Sequence, residues 1–247
     1  MYYFASDVHL GAGDPAQARR VERRFAAWLD RVGDDAEAIF ILGDLFDFWF
    51  EYRRVVPQGF VRILGRLAAL TDRGVRVVFI TGNHDMWVGD YLLRECGVEV
   101  RTEPQVVTLS GKRVFLAHGD NLKTEGRLLL RLMNAVFRSR PLRWLFARCV
   151  HPDLAIRFGR WWSGKSRKSH RNYVTDDRTT DPLVAYAREY AAASSERPDY
   201  FIFGHMHWPR DYAAGGLRVL CLGEWSSDRP VYAAIDPAGG ASLREWS

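Results

Sequence analysis

Ile39-Phe40-Ile41-Leu42-Gly43-Asp44-Leu45-Phe46-Asp47 is a short apolar run that ends in a glycine and a carboxylate. An unbroken apolar run of this length, closed by Gly and Asp, reads as a buried strand, and the carboxylate then stands where the strand leaves its sheet. The same pattern recurs four times. Asp7-Val8-His9 follows the run at 2 to 6, Gly82-Asn83-His84-Asp85 the run at 75 to 80, His118-Gly119-Asp120 the run at 112 to 117, and Gly204-His205-Met206-His207 the run Tyr200-Phe201-Ile202-Phe203. Side chains at the ends of strands in one sheet can converge in space. The chain has seven histidines, and five of them (His9, His84, His118, His205 and His207) fall in these phrases, with only His151 and His170 outside. Scatter would not place them so.

Between the runs, residues 16 to 31 and 58 to 72 carry helical spacing, as in Val21, Phe25, Trp28 and Leu29. Residues 2 to 120 therefore alternate strand and helix, an α/β layout. From 199 onward the chain is mostly strand-like, at 199 to 203, 217 to 222, 231 to 235 and 241 to 246, with turns at Gly215-Gly216 and Pro237-Ala238-Gly239-Gly240. A second sheet facing the first would accommodate this tail. Residues 121 to 180 break the alternation. Leu128, Leu129, Leu132, Met133, Val136 and Phe137 are spaced for one helix and Leu142, Leu145, Phe146 and Cys149 for a second, with Pro141 and Pro152 as punctuation. We read this stretch as a helical insertion lying over the site, within a single domain spanning 1 to 247.

At 247 residues and 47% hydrophobic composition the chain can bury a large core. Its net charge of +5 is uneven, since residues 121 to 171 hold 13 Lys or Arg against two acids, a local +11 that leaves the remainder at −6. Cys96, Cys149 and Cys221 form no Cys-x-x-Cys pair, which excludes a thiolate zinc site and a disulfide framework and points to a reducing compartment. No signal segment opens the chain, and no apolar run nears the roughly 18 residues of a membrane-spanning helix. The expectation is a soluble or peripheral protein of the cytoplasm.

Asp7-x-His9 and His205-x-His207 each place two ligands on the same side of an extended segment. Asp44 has two oxygens and so can bridge two cations, while Asn83 offers an amide oxygen and His118 an imidazole. Nitrogen and oxygen donors without thiolate favour Mn²⁺, Fe²⁺, Co²⁺ or Zn²⁺ over a structural zinc. Two such ions about 3.5 to 4 Å apart would activate water and clamp phosphoryl oxygens. A lone Gly-Asp pair is ordinarily a turn, and a lone His an ordinary hydrogen-bonded residue. Five phrases, each after a strand-like run, reverse that weighting.

The phrases DVH, GDLFD, GNHD, HGD and GHMH resemble the calcineurin-like metallophosphoesterase superfamily over residues 1 to about 120 and 198 to 247. The resemblance implies a four-layer αββα sandwich of two mixed sheets and a pair of divalent cations, with Mn²⁺ the expected metal. It also implies that Asp7, His9 and His207 hold one cation, Asn83, His118 and His205 the other, and that Asp44 bridges. His84 is then the acid–base or phosphate-contacting residue with Asp47 as its orienting carboxylate, unless Asp47 caps the next helix. Asp85 and Asp120 would orient ligands or loops.

The longer stretches SDVHLG, ILGDLFDFWF, TGNHDMW and AHGDNL resemble the UDP-2,3-diacylglucosamine pyrophosphohydrolase family of lipid A synthesis, whose reaction releases UMP and a diacylglucosamine 1-phosphate. Asp47-Phe48-Trp49 stands where protein serine/threonine phosphatases carry Asp-Arg-Gly. Better-known proteobacterial members have Arg after the metal-binding Asn and Glu at the position of Asp47, so His84 and Asp47 place the chain nearer a divergent Asn-His-Asp branch. The resemblance implies a nucleotide-lipid substrate contacted by Asn83, His84 and His205. It makes the insertion a lid over acyl chains, with Ser163, Lys165 and Arg167 as further contacts, on a protein peripheral to the cytoplasmic face of the inner membrane. A phosphodiesterase for a soluble nucleotide or nucleic acid is the alternative, since basic surface attracts polyanions. The density of Leu and Trp in the insertion argues against nucleic acid, and the complete ligand set argues against a silent scaffold.

Overall fold

Three parallel neighbours, β1 (Tyr2–Ala5), β2 (Ala38–Leu42) and β3 (Arg76–Ile80), form the centre of a sheet in a computed structural model that describes residues 1–120, 122, 139–170 and 181–247. With β4 (Glu99–Arg101), β10 (Val231–Ile235) and β11 (Ala241–Glu245) the order is β11-β10-β1-β2-β3-β4, in which β10 and β11 run antiparallel. The second sheet is also mixed. It comprises β5 (Gln105–Leu109), β6 (Lys112–Ala117), β7 (Tyr200–Phe203), β8 (Arg210–Ala214) and β9 (Leu217–Cys221) in the order β5-β6-β7-β9-β8.

Alternate residues of each central strand pack in opposite directions, as a period of two requires. Phe4, Phe40, Leu42, Val78 and Ile80 meet Val114, Leu116, Ile202 and Leu220 between the sheets. Ile39, Ile41, Val77 and Phe79 face the other way, against α1 (Pro15–Val32), α2 (Val61–Asp72) and α3 (Tyr91–Cys96). On the outer side of the second sheet, Phe115, Phe201, Phe203 and Val219 pack on α6 (Pro182–Ala193). The order is helices, sheet, sheet, helix. Strands covered on both faces need no polar alternation, which is why these runs read as continuous apolar segments.

Element limits differ from the sequence reading in instructive ways. α1 starts at Pro15 because Asp14 accepts hydrogen bonds from the amides of Ala16 and Gln17, both at 2.9 Å. α2 begins at Val61, three residues later than its spacing suggests, after a left-handed Phe60. The short α3, β4, β5 and β8 and the Ala-rich α6 were not expected. β5 alternates exposure and β8 is largely exposed, so neither presents an apolar run. In the insertion, α4 (Arg140–Cys149) matches the second expected helix, and a further helix, α5 (Pro152–His170), follows where Pro152 had been read only as punctuation. The helix expected over Leu128 to Phe137 lies outside the described residues. Cys96, Cys149 and Cys221 are free thiols.

The ends of the two sheets come close at Gly43, just past β2. Its φ is +81°, and a Cβ there would lie 2.4 Å from His118 Nδ1, just past β6. Gly43→Ala should therefore cost about 2 kcal/mol or more through backbone strain and the displaced imidazole. Thermal or denaturant unfolding would measure it, and wild-type stability would show that the two strand ends tolerate separation.

Candidate metal centre

Nine side chains arrive at one place from the C-terminal ends of five strands. β1 delivers Asp7 and His9, β2 delivers Asp44 and Asp47, β3 delivers Asn83 and His84, β6 delivers His118, and β7 delivers His205 and His207. The pairs Asp7-x-His9 and His205-x-His207 do not lie on extended backbone as their spacing had suggested. Asp7, His9, Asp44, His205 and His207 have φ values of 53°, 48°, 53°, 70° and 58°, in the left-handed region. Non-glycine residues there cost about 1 kcal/mol or more each, so the surrounding structure must hold them. Amide donors do so: His9 N to Asp44 O at 2.9 Å, Asp7 N to Gly43 O at 3.2 Å, and His205 N to the Asp7 carboxylate at 3.0 Å.

Ligand atoms of Asp7, His9, Asp44 and His207 lie within 4.8 Å of one another, as do those of His9, Asp47 and His84. His207 Nε2 stands 3.2 Å from both Asp7 Oδ1 and His9 Nε2. Asp44 Oδ2 is 3.3 Å from His118 Nε2 and 3.8 Å from the Nε2 of His9 and of His84, while its Oδ1 accepts from His84 N at 2.9 Å. His118 Nε2 lies 3.2 Å from Asn83 Oδ1, and the His118 and His205 rings are 5.0 Å apart.

These contacts test whether cations fit. His118 Nδ1 lies 2.8 Å from Leu42 O and His207 Nδ1 lies 3.2 Å from Glu224 Oε2. With its proton on Nδ1, each ring in its neutral form would turn the Nε2 lone pair on further acceptors. Lone pairs facing lone pairs need positive charge between them. The ionisation balance agrees. Burial opposes a charged His207, yet Asp7 and Glu224 push its pKa up to about 10. Burial likewise opposes a charged His118, yet Asp44, then Asp7 and Asp120, hold it well above the usual range. His9, governed by burial, falls to about 3. The donor set fits divalent cations.

Three further residues orient this set. Asp85 is buried and accepts from the amides of Gly82 at 2.8 Å, Phe46 at 3.2 Å and Asp44 at 3.3 Å, tying two ligand loops together. Burial, then the charge of Asp44, pushes its pKa up to about 7. Glu224 was missed, although it follows the β9 run through Gly223 much as Asp44 follows β2 through Gly43. Ser163, expected to contact substrate, is buried, with its hydroxyl on Asp47 Oδ1 and 2.7 Å from His84 Nδ1. Asp47 caps no helix, because none follows before α2. Its carboxylate is 3.8 Å from His84 Nδ1, and the nearer contact is its carbonyl oxygen at 3.1 Å. Lys165 and Arg167 lie on α5, but their side chains fall outside the described residues.

The family profile described as calcineurin-like phosphoesterase matches residues 2–209. A UDP-2,3-diacylglucosamine hydrolase of Porphyromonas gingivalis is 42% identical over 236 residues, covering 90% of this chain and 89% of its own length. A UDP-2,3-diacylglucosamine hydrolase of Neisseria meningitidis serogroup A is 31% identical over 245 residues, covering 96% of this chain and 95% of its own. Among solved structures, a hypothetical protein of Pyrococcus horikoshii shares the fold, with a TM-score of 0.51 at 12% identity over 99% of this chain and 88% of that one.

Asp85→Ala removes the acceptor for three buried amides and should lower stability by at least about 2 kcal/mol. It should also weaken metal retention roughly 10- to 100-fold. Unfolding and metal titration would measure both, and wild-type values would show that the loops are held by other means.

Proposed function

The chain belongs to the calcineurin-like phosphoesterase family, and from that premise we propose that it hydrolyses the pyrophosphate bond of UDP-2,3-diacylglucosamine to UMP and 2,3-diacylglucosamine 1-phosphate in lipid A synthesis. The observation that carries this reading is the 42% identity to a UDP-2,3-diacylglucosamine hydrolase across nine-tenths of the chain. The clustered nitrogen and oxygen donors supply the chemistry such a reaction needs.

We assign Asp7, His9 and His207 to one divalent cation, Asn83, His118 and His205 to a second, and Asp44 to both, with Mn²⁺ as the metal. Bound there, such a pair would polarise water and neutralise charge on the phosphoryl oxygens. The chain's own residues do the rest. Leu42 O and Glu224 fix the rings of His118 and His207, and Asp85 holds the loops of Asp44 and Asn83 in register. His84 turns Nδ1 towards Asp47 O and the Ser163 hydroxyl, leaving Nε2 on the side of the donor cluster, 3.8 Å from Asp44 Oδ2. At Nε2 it can give a proton to the departing phosphate. Asn83, His84 and His205 are placed to meet the diphosphate, with Lys165 and Arg167 of α5 as proposed further contacts.

Residues 121 to 180 act in this reading as a lid within one domain. α4 and α5 expose Trp144, Leu145, Leu154, Phe158, Trp161 and Trp162. So large an apolar surface set among basic residues suits acyl chains and an anionic membrane face. Among the described residues no helix is long and apolar enough to cross a membrane. We therefore place the protein peripherally, on the cytoplasmic face of the inner membrane.

Mn²⁺-loaded protein should release UMP from the detergent-dispersed lipid, and Asp44→Ala or His118→Ala should reduce release to background without unfolding the chain. Hydrolysis of a generic phosphodiester with the lipid left intact would instead favour a soluble-nucleotide phosphodiesterase. Replacing Trp161 and Trp162 together by Ser should lower sedimentation with anionic vesicles roughly tenfold, from the apolar area no longer buried. Unaltered sedimentation would remove these rings from the membrane-binding surface.

A further inference from the structure

The Asp47 carbonyl oxygen lies 3.1 Å from His84 Nδ1, and the hydroxyl of Ser163 fills the remaining gap between that imidazole and the Asp47 carboxylate, two side chains that the proposed chemistry makes partners. Asp47 Oδ1 stands 3.8 Å from His84 Nδ1, beyond hydrogen-bond reach. Ser163, 2% exposed, donates to Asp47 Oδ1, and its oxygen lies 2.7 Å from His84 Nδ1. A hydroxyl has one proton to give. With that proton on the carboxylate, its oxygen accepts from His84 Nδ1–H, and the lone pair or proton at Nε2 lies on the side of the donor cluster.

Ser163 belongs to the insertion and not to the sheet that carries its two partners. On α5, Ala155, Gly159 and Ser163 recur every fourth residue and are all buried, while Leu154, Phe158, Trp161 and Trp162 are exposed. A Cβ on Gly159 would lie 2.3 Å from Phe48 Cγ, so the helix descends to this depth only because that position lacks a side chain. α4 seats beside it. The Phe146 ring packs 5.2 Å from Phe50 and 5.3 Å from Trp87, and Tyr52 Oη donates to Val150 O at 3.1 Å. The seat is therefore the loop that follows Asp47.

We propose that Ser163 is a positioning residue that carries the charge of Asp47 to His84 Nδ1, so that the seating of α5 on Phe48 and the orientation of the imidazole are one event. This role rests on the reading of His84 as the acid–base residue. It differs from a substrate contact in what it predicts. A positioning hydroxyl serves every substrate, whereas a contact serves only those that reach it.

Steady-state kinetics of Mn²⁺-loaded Ser163→Ala and Ser163→Thr, on bis(p-nitrophenyl) phosphate and on the nucleotide lipid, separate the two. Ser163→Ala should lower kcat on both substrates about 10- to 100-fold, with KM for the small diester and metal content per chain unchanged. Ser163→Thr, which keeps the hydroxyl, should recover most of the loss. Full kcat on the small diester with a raised KM for the lipid would overturn the proposal in favour of a substrate contact. Equal losses in both variants, with metal or melting temperature lost, would overturn it in favour of packing. If the wild-type protein turns over the small diester and not the lipid, the substrate reading fails while the comparison of variants on the diester still decides the role of Ser163.

Discussion

Two carboxylates, Asp7 and Asp44, are buried from solvent at the meeting point of two sheets, and the site around them follows from that constraint. Burying an ionised carboxylate costs several kcal/mol unless positive charge and hydrogen bonds replace its water. Backbone amides of His84 and His205 supply hydrogen bonds to these oxygens, and imidazoles of His9, His118 and His207 surround them. Divalent cations bound among these donors would complete the balance. The electrostatic demand also explains why strained backbone persists. Left-handed turns at five donor-bearing positions are tolerated where the charges they bring together offset their cost.

Orientation comes from a second layer whose members have separate origins. Leu42 O and the Asp85 carboxylate belong to the strand-end loops, Glu224 to the loop after β9, and Ser163 to the helical insertion. That last origin links specificity to chemistry. The same helix that shows aromatic rings to solvent places a hydroxyl beside His84, the proposed acid–base residue. In the proposed function, a surface that gathers a lipid substrate thus also shapes the environment of the group that would serve its phosphate.

Much of this was legible in the chain. Strands covered on both faces leave unbroken apolar runs, so β1, β2, β3, β6 and β7 and the donors that follow them stood out. Partly exposed β5 and β8 left no such run, and the Ala-rich α6 was equally quiet. Glu224 carried the same strand-glycine-acid signature as Asp44, but it lies outside the five phrases through which the donor set was recognised. The spacing of Asp7-x-His9 singled out two side chains that do converge, but for the wrong geometric reason, because two left-handed residues and not an extended segment aim them.

Sequence by itself determined the layered α/β class, the family and the donor set, because hydrophobic periodicity and donor chemistry are local properties of residues and their neighbours. Tertiary structure alone decided how the donors face one another, that the Ser163 hydroxyl stands between the Asp47 carboxylate and His84, and that Glu224 meets His207. Those relations join residues 116 and 17 positions apart in the chain. Only packing of the sheets and the seating of α5 bring them within hydrogen-bond distance, and no local pattern encodes a contact that the fold itself must create.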